Sequence, residues 1–102
     1  MNIMWYAIIA QDIDNSLEKR IKARPQHLAR LQALQEAGRL LLAGPFPAID
    51  SIDPGPAGYT GSLIVAEFAN LQAATEWANA DPFVIENIYS SVTIKPFRKT
   101  LP

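Results

Sequence analysis

An α+β domain with the element order β-α-β-β-α-β is the fold this sequence predicts. Four short segments rich in β-branched and aromatic residues read as strands. Stretches between them repeat apolar residues three and four apart, the spacing of a helix face, and glycine, proline, asparagine or aspartate stands at the junctions. The chain has 102 residues, 49% of them apolar and 19% charged. That is one domain's length, residues 1–102, with enough apolar surface for a modest core.

The first strand is expected from Ile3 to Gln11, in "MNIMWYAIIAQ". Asn15 with Glu18 three residues later has the capping-box pattern and opens a short helix to about Ala23. Arg24-Pro25 then interrupts it. Proline is favoured at a first helical position, where its missing N–H costs nothing, so a second helix is expected from Pro25 to Gly38. "RLLLAGPF" reads as strand two. Gly44 to Gly61 holds four of the five glycines and four of the eight prolines, and loops this long in compact domains tend to bind or cover something. "SLIVAEF" is strand three. Asn70 caps a helix with Leu71, Ala74, Trp77 and Ala78 on one face. Asp81-Pro82 ends it, and "SVTIKPF" closes the chain as strand four, where Pro96 marks an edge because it cannot donate to a ladder. This order is the split βαβ or ferredoxin-like arrangement.

Helices on one side of a four-stranded sheet leave its other face open. In strand one, Met4, Tyr6, Ile8 and Ala10 face one way and Ile3, Trp5, Ala7 and Ile9 the other. Both sets are apolar, whereas a strand with one wet face alternates. Large side chains left in water forfeit about 1.5–3 kcal/mol each, and monomers rarely carry such patches. A homodimer with two sheets packed face to face is therefore expected.

Net charge is −1, which offers no general field for nucleic acid or anionic lipid. Five of the nine Lys/Arg lie between Lys19 and Arg30, but no exposed aromatic platform accompanies them and a solvated helix face explains them. With no cysteine, disulfides and thiolate chemistry are excluded. The apolar N-terminus lacks a basic leader and a cleavage site, and nothing reaches membrane-spanning length. A cytoplasmic protein without nucleic-acid or membrane partners is expected. One histidine with scattered carboxylates has no metal-ligand spacing, so neither metal nor cofactor is expected. "GPAGYTGS" leads into a strand and has no following lysine, so it is not a phosphate-binding loop of the Walker type.

The one histidine, His27, lies in "RPQHLARL". His27, Leu31 and Leu34 share a helix face, with Arg30, Ala33 and Glu36 opposite. His27 therefore points toward the sheet, and burial and a helix N-terminus both favour its neutral ring. A neutral imidazole in a partly dry site can act as a general base. It can equally be a core residue whose nitrogens are satisfied by neighbours. A base of this kind needs a carboxylate to fix its tautomer, and the candidates are Asp12, Asp50, Asp53 and Asp81. Asp81 follows the buried stripe of the second helix, although an aspartate before proline is also a favourable cap.

"RPQHLARLQ", "GRLLLAGPFPAIDSIDPGPAGYTGS", "AEF", the tryptophan-to-"ADPF" segment and "KPF" together resemble the YciI family, the YCII-related domain, over nearly the whole chain. The resemblance implies a ferredoxin-like sandwich that dimerises as an α+β barrel. It implies an active-site pair formed by His27 and Asp81, and a pocket near Gly44, Pro45, Thr60, Gly61 and Ser62. One branch of the family resembles dehydrochlorinases, which points to a lyase or isomerase acting on a small molecule. In that reading Arg24 and the amides of the helix start hold an anion, and the long loop closes over the site. Two alternatives stay open: a phosphoryl carrier on His27, and a non-catalytic dimeric module that binds a metabolite.

Overall fold

The β-branched run after Met4 becomes the hub of the sheet because both of its edges are paired. The computed structural model describes residues 4–102; the expected start of strand one at Ile3 lies outside the described residues. Strand β1 (Trp5–Asp12) is followed by helix α1 (Leu17–Glu36), strand β2 (Leu40–Pro47), a 3-10 turn at Gly55–Ala57 and strand β3 (Tyr59–Glu67). Helix α2 (Leu71–Asn79), the single-turn helix α3 (Pro82–Ile85) and strand β4 (Tyr89–Phe97) complete the chain. The strands lie in the order β2-β3-β1-β4, all antiparallel, so the ferredoxin-like expectation is met and Pro96 falls on an edge strand.

One face of β1 and β3 supplies Tyr6, Ile8, Ile64 and Ala66 to the core, and the helices close it with Leu31, Leu34, Ala74 and Ala78. No helix among the described residues covers the other face. Ile9, Leu42, Phe46 and Phe97 remain exposed there, at 39–46% of their full surface. No helix among the described residues is long and apolar enough to cross a membrane.

Two helices were expected before β2, and the described residues hold one. Pro25 lies inside α1. The buried stripe Arg20, Ala23, His27, Leu31 and Leu34 runs unbroken past it, while Pro25 itself faces solvent. A proline inside a helix costs about 3 kcal/mol, and one continuous packed face outweighs that single missing hydrogen bond. The expected capping box does not form either. Asn15 is in the left-handed region at φ 57°, Ser16 is the N-cap without a side-chain cap bond, and its hydroxyl donates to Asp12 at 2.6 Å instead.

The long loop is shorter than expected, because β2 continues to Pro47 and β3 starts at Tyr59. Pro45 and Pro47 are tolerated there because β2 is an edge strand. That leaves residues 48–58 as the connection. Gly61 is required at its position: a Cβ there would lie 2.1 Å from the Ala10 carbonyl oxygen.

Candidate active site

Asp81 stands where α2 ends and α3 begins. Pro82 at the first helical position forces the residue before it to be extended, and Asp81 is so, at φ −68° and ψ 137°. Its Oδ1 accepts from the Phe83 amide at 2.9 Å, the capping role expected of it. The same carboxylate, 2% exposed, meets His27 from α1, with Nδ1 2.8 Å from Oδ1 and 2.9 Å from Oδ2. Arg30 Nη1 donates to Oδ2 at 3.2 Å. Two protein donors besides the imidazole converge on Asp81, which makes it an ionised acceptor. Nδ1 is therefore the nitrogen that donates to the carboxylate, and in the neutral ring the lone pair is on Nε2.

Nε2 has no protein hydrogen-bond partner among the described residues. His27 stacks on Phe83, with centroids 3.9 Å apart and planes 7° from parallel. It borders a cavity of about 570 Å³ between α1 and the β2–β3 half of the sheet. That volume suits a small-molecule site.

The structure brings most of the expected residues together. Arg24, Gly44, Pro45 and Ser62 border the same cavity as His27, and Asp81 is behind the imidazole. Gly61 does not border it. Its carbonyl is turned to Arg20 Nη2 at 2.8 Å, because β3 is pressed against β1 at that point. Two further expectations are corrected. His27 is in the middle of α1 and not at a helix start, so the amides expected to hold an anion beside it are paired within the helix. Arg30 is not on an outward face: it donates to the Trp77 carbonyl at 2.8 Å and lies 4.3 Å over the Trp77 ring.

Sequence reasoning missed Arg20, which was counted with the solvated basic face. It is buried, and its Nε and Nη2 grip Asp12 at 2.6 and 3.0 Å. Nη2 also donates to Ser62 Oγ at 2.9 Å. The guanidinium faces Tyr59, Phe83 and Tyr89, 5.1–6.0 Å from their centroids. Asp12, one of the carboxylates considered for His27, is thus committed elsewhere. Carrying the apolar stripe backward through Pro25 is the signal that finds Arg20, seven residues before His27. Burial pushes the Tyr89 phenol up to about 12. Its hydroxyl is beside Ser62 but makes no aligned hydrogen bond.

A family model described as the YCII-related domain matches residues 4–98. The chain is 59% identical over 96 residues to Protein YciI of Escherichia coli, covering 94% of this chain and 98% of that one. It is 57% identical, with the same coverage, to an uncharacterized protein of Haemophilus influenzae. Among solved structures it is similar to 5-chloro-2-hydroxyhydroquinone dehydrochlorinase (TftG) of Burkholderia phenoliruptrix, in complex with 2,5-dihydroxybenzoquinone. The TM-score is 0.82 at 22% identity, over 93% of this chain and 94% of that one. That likeness is one of fold.

Proposed function

The chain belongs to the YCII-related domain family, and from that premise we propose a cofactor-independent lyase or isomerase of small oxygenated molecules, with His27 as general base and Asp81 as its orienting partner. The observation that carries the reading is the 2.8 Å contact between His27 Nδ1 and Asp81, with Nε2 left unpaired on a residue that borders a cavity. An imidazole held in one tautomer by a carboxylate is poised to take a proton at its other nitrogen. Arg30 and the Phe83 amide hold the carboxylate in place, and Asp81 offsets the imidazolium charge that forms.

In the dehydrochlorinase-like form of the reaction, Nε2 takes an acidic proton from the substrate. The electron pair left behind forms the new π bond, and chloride departs with its own pair. Arg24 at the cavity and the connection carrying Asp53 and Gly55 would bind the substrate's polar groups. The fold likeness to a dehydrochlorinase supports this class without naming a substrate. The phosphoryl-carrier alternative drew on a helix start beside His27 and on Arg24; the mid-helix position removes the first, while Arg24 at the cavity serves either reading. The proposal includes a cytoplasmic homodimer that covers the open sheet face.

The test is chloride release from chlorinated hydroxyquinols, followed with His27→Ala. A general base contributes about 10²–10⁴-fold, so turnover should fall by that factor. A variant that turns over a wild-type substrate normally rules out the base.

A further inference from the structure

An arginine has five N–H donors, and the protein uses those on only two nitrogens of Arg20. Nε and Nη2 are committed to Asp12, Gly61 and Ser62. Nη1 has no protein partner among the described residues, yet it is not sealed from solvent: the Tyr89 hydroxyl is the one buried side-chain polar atom left unpaired there. Arg20 borders the same cavity as His27. Ser62, whose Oγ accepts from Arg20, also borders it, and the hydroxyl's own proton has no aligned acceptor among the described residues.

Arg20 and His27 lie two turns apart on one face of α1, about 10 Å along its axis. Phe83 joins them. His27 stacks on that ring at 3.9 Å, and the Arg20 guanidinium carbon is 5.1 Å from its centroid. His27 and Arg20 thus meet one aromatic ring, and with Ser62 they border one cavity. A pure structural clasp between β1 and α1 needs Asp12 and nothing more. It does not call for an unpaired, solvent-reachable donor nitrogen on a residue that lines the cavity.

We propose that Arg20, assisted by Ser62, is the anion-holding pole of the site and selects conjugated small molecules with an acidic oxygen across the ring from the proton that is removed. This rests on the reading of His27 as the base. When Nε2 takes the proton, the electron pair moves through the conjugated system onto that oxygen in its keto tautomer, whose C=O π bond opens to the enolate C–O⁻ that Nη1 and the Ser62 hydroxyl receive. Asp12 neutralises the long-range field of Arg20, so the site offers aimed donors rather than net charge. Such preorganised donors act on charge as it develops. Arg24 is exposed at the cavity mouth, where solvent and salt screen it.

The test is equilibrium binding by titration calorimetry at neutral pH. It compares 2,5-dihydroxy-1,4-benzoquinone, an anion there, with 2,5-dimethoxy-1,4-benzoquinone, which has the same ring and no ionisable oxygen. Wild-type protein should bind the anion at least about tenfold tighter, the scale of one charge-assisted hydrogen bond. The Asp12→Asn/Arg20→Gln pair, which replaces the ions with two amides, should bring the ratio near one. If circular dichroism finds that pair unfolded, Ser62→Ala carries the test, with an expected loss of about threefold or more. A wild type without preference overturns the proposal, as does a folded variant that keeps the full preference. Binding needs no turnover, so the two readings fail separately. Normal turnover by His27→Ala would remove the base while leaving an Arg20-dependent preference standing.

Discussion

Replacing Asp81 tests the centre of the site, because three donors depend on one carboxylate. Asp81→Ala removes the acceptor of the Phe83 amide, of His27 Nδ1 and of Arg30. Loss of a helix cap costs about 1 kcal/mol. Leaving a buried donor unsatisfied costs about 1–3 kcal/mol, and His27 is one such donor, while half-buried Arg30 can turn partly to water. The expected destabilisation is therefore about 3–5 kcal/mol, the range for breaking a buried charged pair by removing one partner. Domains of this size have about 5–15 kcal/mol in all, so the change should dominate a urea melt. Asp81→Asn separates the roles. Its amide oxygen can still cap Phe83, but its amide nitrogen can donate to an unprotonated Nδ1 and is repelled by Arg30. As His27 is the one histidine, its ring nitrogens can be read without assignment by 15N NMR. Wild-type protein should hold the Nδ1–H tautomer, and Asp81→Asn should populate the other. An unchanged tautomer in Asp81→Asn, or an Asp81→Ala variant within about 1 kcal/mol of wild type, refutes the reasoning.

Three further outcomes follow from the same structure. Tyr89 is raised to about 12 by burial, so between about pH 10 and 12 the unfolded chain loses a proton that the native state keeps, and stability falls as pH rises through that window. The loss should be about 2 kcal/mol; Tyr89→Phe should abolish that part of the slope, and an unchanged alkaline melt argues against it. Pro25 leaves the Ile21 carbonyl without its helical donor, so Pro25→Ala should stabilise the fold by about 1–2 kcal/mol, the helix cost of proline less its benefit in the unfolded chain; a destabilised variant in a thermal melt contradicts this. Ile9 lies on the open sheet face, so Ile9→Glu should convert a wild-type dimer to a monomer by light scattering, and a monomeric wild type at micromolar concentration sinks the dimer.

Helix α1 organises the site. Its inward stripe alternates function and packing, with Arg20 and His27 spaced by Ala23 and followed by Leu31 and Leu34. One rigid element thereby sets the distance between the two polar groups, and Phe83, placed by the Asp81 cap, fills the gap. The cap that ends one helix and starts the next is also the group that orients the imidazole.

The element order and the inward direction of His27 were legible in the sequence because they depend on local periodicity and turn residues. The two-faced apolar strand β1 was legible for the same reason, and so was the capping role of Asp81. Local rules failed at Pro25, where a neighbour-level preference for a helix start lost to a stripe packed along twenty residues. They failed at Asn15–Glu18, where Ser16 turned to a buried carboxylate that no local pattern reveals. The Asp12–Arg20 clasp and the approach of β3 to Ala10 at Gly61 were decided by tertiary structure alone, and the pairing of His27 with Asp81 across 54 residues of chain was expected from the family resemblance and not from spacing. Contacts of that separation depend on how the sheet and helices pack in three dimensions, and one sequence records the residues that meet there without recording the meeting.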